Sequence, residues 1–389
     1  MRFIHTSDWH LGRSFHRVGL LNAQASYLDH LVEVVRSEGV DAVLVSGDVY
    51  DRALPSPDTV ELLSAAVTRL IDAGAVVVLS SGNHDSAIRL GFASDLLARA
   101  GLHIRTSPDS VGTPVTIKGV DVYPLPYLEP SVAAEAVGAL ERTHAAVLRA
   151  AMDTVRARAA SRPGPAVVMA HAFVTGGASS ASERDISVGG VGAVHPKVFA
   201  HADYVALGHL HGPQRITETL RYSGSPIALS FSEADQHKGS ILVDISPGSV
   251  ATRSIPAPPA KPLAILRGDL EDLLRDPRHH GAESSYCQIT LTDTVRAMGA
   301  MERVRRRFPD TLVLAFDPVG AQVIPRMSAA SMHQRSDLDM CCDFLTHVRG
   351  GNGASEAERG LLTTAVEASR VSRACHDDLA GTVGTGSAA

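Results

Sequence analysis

Apolar and polar positions along the first half of the chain follow two periods. Arg2 to His5 reads as a short strand. Tyr27, Leu28, Leu31, Val32 and Val35 recur at helical spacing, and Gly39 stops that helix. Ala42 to Val45 predicts a second strand. Ser56-Pro57 reads as an N-cap followed by proline at the first helical position. Leu62, Leu63, Ala66, Val67 and Leu70 form the apolar face of that helix, and Gly74 ends it. Val76 to Leu79 predicts a third strand, and a further helix is expected around Leu90 to Ala100, ending at Gly101.

The pattern then becomes richer in strands: Val115 to Ile117, Val120 to Tyr123, Val167 to Met169, Tyr204 to Leu207, Ile227 to Phe231 and Ile241 to Ile245. A long helix, about Ser131 to Ala159, interrupts them. Gly176 to Gly192 is a Gly/Ser-rich loop, of a length that is usually functional or mobile. Pro247 to Pro262 holds five prolines and reads as a linker. Beyond it lies a small unit: strand Tyr286 to Leu291, amphipathic helix Asp293 to Phe308, strand Leu312 to Phe316. A polar Met/Ser-rich stretch follows, then helical patterns over Leu338 to Val348 and Ser355 to Ala368. From about Asp377 the composition is that of a disordered tail. No internal repeat is visible.

Length and composition narrow this picture. The 389 residues suffice for one large domain and one or two small ones, and 44% hydrophobic with 20% charged residues is an ordinary soluble composition. The opening MRFIHTSDWHLG has no apolar h-region, and no apolar run approaches the ~20 residues that span a bilayer. A cytoplasmic protein with no membrane partner is expected. The cysteines Cys287, Cys341, Cys342 and Cys375 form no C-x-x-C pair, which fits a reducing compartment without disulfides or a zinc knuckle. A net charge of -6 argues against coating nucleic acid by charge alone. It leaves a nuclease open, because bound cations and a partner supply positive charge.

Five polar motifs each follow directly on an apolar strand: Asp8-Trp9-His10, Gly47-Asp48, Gly82-Asn83-His84-Asp85, His171, and Gly208-His209-Leu210-His211. Ligands gather at the carboxyl ends of strands in open α/β sheets. If the strands share sheets, the motifs converge on one edge. Carboxylate, amide oxygen and imidazole without thiolate suit manganese, iron or zinc. Asp8, His10, Asp48, Asn83, His171, His209 and His211 are seven donors, more than one ion needs. Two ions sharing a carboxylate use them naturally. His84 suits the donation of a proton to the leaving oxygen. Singly, each motif also reads as a turn or a packed histidine; their joint order carries the metal-site reading.

This order of motifs resembles the calcineurin-like metallophosphoesterases. HTSDWHLG, GDVYD, SSGNHDS and GHLH resemble in particular the SbcD nuclease branch, the subunits of bacterial SbcCD complexes and counterparts of the double-strand-break repair nuclease. The resemblance implies an α/β fold with a β-sandwich flanked by helices, a small α/β capping domain and a C-terminal helical partner-binding segment. The expected divisions are 1–255 for the nuclease domain, 256–325 for the cap, 335–370 for the ATPase-binding segment and 376–389 for a disordered tail. It implies one ion on Asp8, His10, Asp48 and His211, and another on Asp48, Asn83, His171 and His209, with Asp48 bridging and manganese as the metal. His84 becomes the catalytic histidine. The implied activity is 3'-5' duplex exonuclease and single-strand or hairpin endonuclease, ATP-dependent, in repair, recombination and replication of DNA at the nucleoid. The implied partners are DNA, an SbcC-type coiled-coil ATPase and a second copy, through the helices after Asp51 and Asp85.

One departure is Asp51, where the archaeal and eukaryotic nucleases usually carry histidine. Phosphatases of this fold use an aspartate at that offset to orient the catalytic histidine. Asp51 is therefore expected to hydrogen-bond His84 and raise its basicity, against the plainer reading of a surface carboxylate beside Arg52. Arg303, Arg305, Arg306 and Arg307 are either a phosphate-contacting stripe or a solvated helix face. Phe344, Leu345, Val348, Leu361, Leu362 and Val366 belong either to a partner-binding helix pair or to a self-contained hairpin. A phosphatase or cyclic-nucleotide phosphodiesterase of the same fold is the alternative, with Arg52 as its phosphate-binding arginine. A non-catalytic scaffold is disfavoured because every ligand position is filled.

Overall fold

In a computed structural model, residues 1–183, 192–318, 336–349 and 351–380 are described. They divide into two compact units, Met1–Pro262 and Leu263–Ala389. The first begins with β1 (Arg2–Thr6), a small hairpin of β2 (Ser14–Phe15) and β3 (Val18–Gly19), α1 (Leu21–Glu38), β4 (Ala42–Ser46), α2 (Pro57–Asp72) and β5 (Val76–Ser80). The helical turns α3 (Ala87–Leu90) and α4 (Ser94–Leu97) lead to β6 (Leu102–Arg105). Then come β7 (Val115–Ile117), β8 (Val120–Pro124), α5 (Pro130–Ala136), α6 (His144–Ala159), β9 (Ala166–His171), β10 (Tyr204–Gly208), β11 (Gln214–Arg215), β12 (Leu220–Tyr222), β13 (Gly239–Ser246) and β14 (Ser249–Pro256).

Two six-stranded sheets result, ordered β14-β13-β1-β4-β5-β6 and β11-β12-β10-β9-β8-β7. Strands β1, β4, β5 and β6 run parallel, as do β8, β9, β10 and β12. Phe3, Leu44, Val78, Val167, Met169 and Ala206 fill the space between the sheets. The outer face of the first sheet is covered by α1 and α2 through Leu28, Leu31, Leu63 and Leu70, and that of the second by α5 and α6 through Ala133, Val147, Ala151 and Val155. Covered on both sides, a central strand is apolar without alternation, as β4 is in AVLVS. Each fully buried Val or Leu there contributes ~1.5–3 kcal/mol relative to exposure. Helix α1 ends where Gly39 takes φ 62°, a left-handed turn that glycine makes without cost.

The sequence pattern misplaces several elements. The helix expected over Leu90 to Ala100 is two short turns and a 3₁₀ segment, broken where Ala93 adopts φ 56°. The expected helix from Ser131 to Ala159 is two helices. Gly138 (φ 71°) follows the first, and Thr143 caps the second by accepting from Ala146 N at 3.2 Å. Ile227 to Phe231 is not a strand, although Ile227, Leu229 and Phe231 alternate inward. Its backbone is held by side chains instead, Leu229 N by Glu233 and Ile227 O by Ser225. Half of the expected linker Pro247 to Pro262 is β14, paired with β13 along the strand's whole length. Pro247-Gly248 forms the hairpin turn, and Pro256 falls at the far end of an edge strand, where proline is tolerated.

The second unit carries a parallel sheet β15-β16-β17, from β15 (Leu263–Gly268), β16 (Tyr286–Leu291) and β17 (Thr311–Phe316), with α7 (Leu270–Arg275) and α8 (Ala300–Arg307). Leu270, Leu273, Cys287, Ile289, Val304 and Phe308 form its core. The helix expected from Asp293 starts only at Ala300, behind Gly299 at φ 62°. The arginines of α8 are engaged within the unit: Arg303 with Glu271, Arg306 with Glu302, Arg307 with Glu283 and the carbonyls of Leu273 and Asp276, Arg305 with Thr311 O. Helices Asp337–Val348 and Glu356–Ala380 are joined by the ion pairs Arg349–Glu358 and Arg359–Asp339. The second of them runs through Ala380, into the stretch expected to be a disordered tail. The Met/Ser-rich stretch, most of the Gly176–Gly192 loop beyond Glu183 and the last residues of the tail lie outside the described residues. Among the described residues no helix is long and apolar enough to cross a membrane.

Candidate metal centre

The five polar motifs stand at the carboxyl ends of β1, β4, β5, β9 and β10, three from one sheet and two from the other. The sheets meet at this end. Ser46, closing β4, donates its hydroxyl to Ala206 O at 2.9 Å, and its carbonyl lies 3.0 Å from His171 Nδ1. That approach needs glycine. A Cβ on Gly208 would strike Ser46 O, one on Gly47 would strike the His171 ring, and one on Gly82 would strike Asp48.

The ligand-bearing turns are held in unusual backbone states. Asp8 (φ 53°), His10 (φ 43°), Asp48 (φ 48°) and His209 (φ 103°) all have positive φ, which costs a non-glycine residue about 1–3 kcal/mol. Neighbouring contacts hold them there. Asp8 N donates to Gly47 O and His10 N to Asp48 O, continuing the β1–β4 pairing past the strands. Gln24 of α1 donates to the carbonyls of Trp9 and His10. The Asp85 carboxylate accepts from Val49 N, Tyr50 N and Gly82 N, clamping one turn to the next.

All seven expected donors come together. His10 Nε2 lies 3.1 Å from His211 Nε2 and 3.4 Å from Asp48 Oδ2, and Asp8 belongs to the same group. On the other side, His171 Nε2 lies 3.5 Å from the same Asp48 Oδ2 and 2.9 Å from Asn83 Oδ1, with His209 Nδ1 at 3.3 Å from that amide oxygen. Asp48 thus stands between two groups and belongs to both. Asp8 is fixed by Ser7 Oγ at 2.5 Å and His209 N at 3.0 Å.

Burial sets the charge state. It holds His10 down at about 4 and His209 at about 3, and lowers His171 as well, so these imidazoles are neutral with free lone pairs at neutral pH. Burial, then repulsion from Asp48, pushes Asp8 well above the usual carboxylate range. Burial works against the Asp48 carboxylate too; opposing it are charge on His171, His10 and His84 where these are protonated and the bond from His84 N, and the net direction is down. A buried anion amid neutral imidazoles, with two imidazole nitrogens facing each other at 3.1 Å, is a donor set for cations. The residues fit divalent ions of the hard-to-borderline class.

His84 lies at the edge of this group, its Nε2 4.0 Å from Asp48 Oδ2. The expected contact with Asp51 exists, but not through the side chain: His84 Nδ1 meets the Asp51 backbone carbonyl at 2.8 Å. The Asp51 carboxylate turns instead to His10 Nδ1, at 3.3 Å, and to Arg13, at 3.2 Å. The sequence motifs also give no hint of Ser182, Glu183, Glu233 and Lys238, which surround His211 from behind. Arg13, three residues past His10, was readable only as part of the same turn.

Comparison with known proteins agrees with this geometry. A model described as calcineurin-like phosphoesterase matches residues 1–213, which include all seven donors. A second, SbcD_C, described as type 5 capsule protein repressor C-terminal domain, matches residues 259–349. Among solved structures, TT1561 of Thermus thermophilus is 14% identical over 65% of this chain and 98% of its own, with a TM-score of 0.37. GAP50, the anchor in the inner membrane complex of Plasmodium, is 11% identical over 83% of this chain and 99% of its own, with a TM-score of 0.36. At such scores neither likeness carries an argument. The first family model spans more than half of the 389 residues. The chain belongs to the calcineurin-like phosphoesterase family, as a metal-dependent hydrolase of phosphoester bonds with an SbcD-type C-terminal domain.

Proposed function

We propose that the chain is the nuclease subunit of an SbcCD-type complex, hydrolysing DNA phosphodiester bonds. The observation that carries this reading is the pairing of a shared-carboxylate metal site with a C-terminal domain of the SbcD type. Asp8, His10, Asp48 and His211 would hold one ion and Asp48, Asn83, His171 and His209 the other, with manganese as the metal. When bound, two such ions acidify water, polarise the phosphoryl oxygens and offset charge developing in an in-line displacement. His84 keeps Nδ1–H on the Asp51 carbonyl and presents Nε2 to the leaving oxygen, to which it delivers a proton. Asp51 acts on His84 through its backbone and on His10 through its carboxylate.

The second unit fits the two remaining roles. Its α/β part would cap the site and position DNA, and its helix pair would bind a coiled-coil ATPase, for which Phe344 (65% exposed) and Leu361 (72% exposed) offer apolar surface. On this reading the nuclease role belongs to the first unit and the other two roles to the second. The complex would act as 3'-5' exonuclease and as hairpin or single-strand endonuclease.

A homodimer is supported by Ile88, Phe92 and Leu96, large apolar side chains exposed on the turns α3 and α4 and the link between them. Phe92→Asp is expected to convert a dimer into a monomer in sedimentation. A wild-type chain that sediments as a monomer at micromolar concentration contradicts the homodimer.

Arg52, 80% exposed and only 3.8 Å from Asp51, also suits the phosphatase or cyclic-nucleotide phosphodiesterase alternative. The two are separated by incubating the purified chain and manganese with end-labelled linear duplex DNA, a small phosphodiester and a phosphomonoester, with and without the ATPase. Release of nucleotides from the duplex is expected. Turnover of the small esters with intact DNA in both conditions selects the alternative.

A further inference from the structure

We infer that Ser182 and Glu233 position His211 for ion binding, through a hydroxyl relay that sets which imidazole nitrogen carries the proton. The inference rests on the metal-site reading above. Ser182 Oγ lies 2.5 Å from His211 Nδ1 and also hydrogen-bonds Glu233 Oε1. Glu233 and His211 are each 1% exposed. A serine hydroxyl has one proton to give. The carboxylate can only accept, so Ser182 donates to Glu233 and its oxygen accepts from His211 Nδ1–H. That assigns the His211 proton to Nδ1 and leaves Nε2 with a lone pair, facing His10 Nε2 at 3.1 Å.

The surroundings keep Glu233 in its accepting role. Lys238 Nζ lies 2.6 Å from Glu233 Oε2, and Leu229 N donates to the same oxygen at 3.1 Å. Glu183 Oε1 accepts from His211 N at 2.7 Å, holding the backbone as the relay holds the ring. Arg13 ties this arrangement to the opposite side of the pair. One of its nitrogens donates to Ser182 O at 3.1 Å and another to Asp51 Oδ1 at 3.2 Å, the oxygen that faces His10 Nδ1. Each of the two facing imidazoles therefore has a carboxylate behind it, His10 directly and His211 through a hydroxyl.

The test is manganese titration of the purified chain by calorimetry, with the melting temperature of the metal-free protein as control. Ser182→Ala is expected to weaken one of two binding steps by roughly 10–100-fold and to leave the other step and the metal-free melting temperature unchanged. Ser182→Thr keeps the hydroxyl and restores the affinity. Glu233→Gln is the sharper variant. Its amide oxygen is drawn to Lys238 and Leu229 N, so its NH₂ faces Ser182. The hydroxyl is then released to donate to His211 Nδ1, which moves the imidazole proton onto Nε2, with Ser180 Oγ at 2.8 Å as the competing acceptor. A loss at the same step at least as large as that of Ser182→Ala is expected. Unchanged binding in both Ser182→Ala and Glu233→Gln overturns the relay, as does a uniform loss at both steps together with a lower metal-free melting temperature. A wild-type chain that takes up no ion sinks the metal-site reading, and the relay with it.

Discussion

His84→Ala is expected to slow phosphodiester hydrolysis by about 10²–10⁴-fold while leaving the uptake of two ions intact. Its ring stands edge-on to His10, with centroids 4.7 Å apart, so it belongs to the same cluster. Its Nε2 is nevertheless farther from Asp48 Oδ2, at 4.0 Å, than the nitrogens of His10 and His171, at 3.4 and 3.5 Å. Its side chain is 10% exposed where theirs are fully buried, so of the three it is the one that reaches solvent. These features are what the proposed function asks of a group that meets the leaving oxygen. The expected penalty shrinks for an ester whose leaving group departs without a proton. Rates on good and poor leaving groups, measured beside metal content, check this. Loss of an ion in the variant makes His84 a ligand; an unchanged rate on both esters removes it from the chemistry.

Asp48→Asn is expected to abolish simultaneous binding of two ions and to lower hydrolysis by roughly 10²–10⁴-fold. One carboxylate oxygen serves both donor groups, and asparagine keeps the shape without the charge. Each ion supplies several kcal/mol of transition-state stabilisation, and ~1.36 kcal/mol is a tenfold change in rate. The fold should survive. Asp48 Oδ1 accepts from His84 N at 2.9 Å, and an amide oxygen accepts the same bond. Ion stoichiometry by calorimetry or elemental analysis decides the matter. Two ions held by the variant with wild-type affinities would remove Asp48 from the bridging position.

The candidate donors were legible as a cluster because each lies at or just past the end of a buried strand, where a polar residue interrupts an apolar run. The relay behind His211 was not. Ser182 sits in a Gly/Ser-rich loop, and Glu233 follows an alternating apolar stretch that imitates a strand, so neither carries a local signal. Asp51 shows a different limit. Its offset from Asp48 places it beside His84, but sequence cannot tell a carboxylate contact from a carbonyl contact. Here Arg13 and His10 draw the carboxylate away. The misplaced helix ends were readable. Gly138 and Gly299 mark the breaks, and Pro247-Gly248 marks the hairpin that a count of prolines disguised as a linker.

The order of strands in the first sheet has a consequence for how the chain is made. Strand β1 lies between β4 and β13, and β13 is encoded more than two hundred residues later. At ~5–20 residues per second, synthesis leaves one side of β1 without its partner for tens of seconds. Phe3 and Ile4, fully buried in the finished sheet, are carried on that open edge meanwhile. The second sheet, which brings His171, His209 and His211, is complete before the edge closes. A ribosome-bound chain that ends short of β13 therefore carries every proposed ligand on an unfinished sandwich.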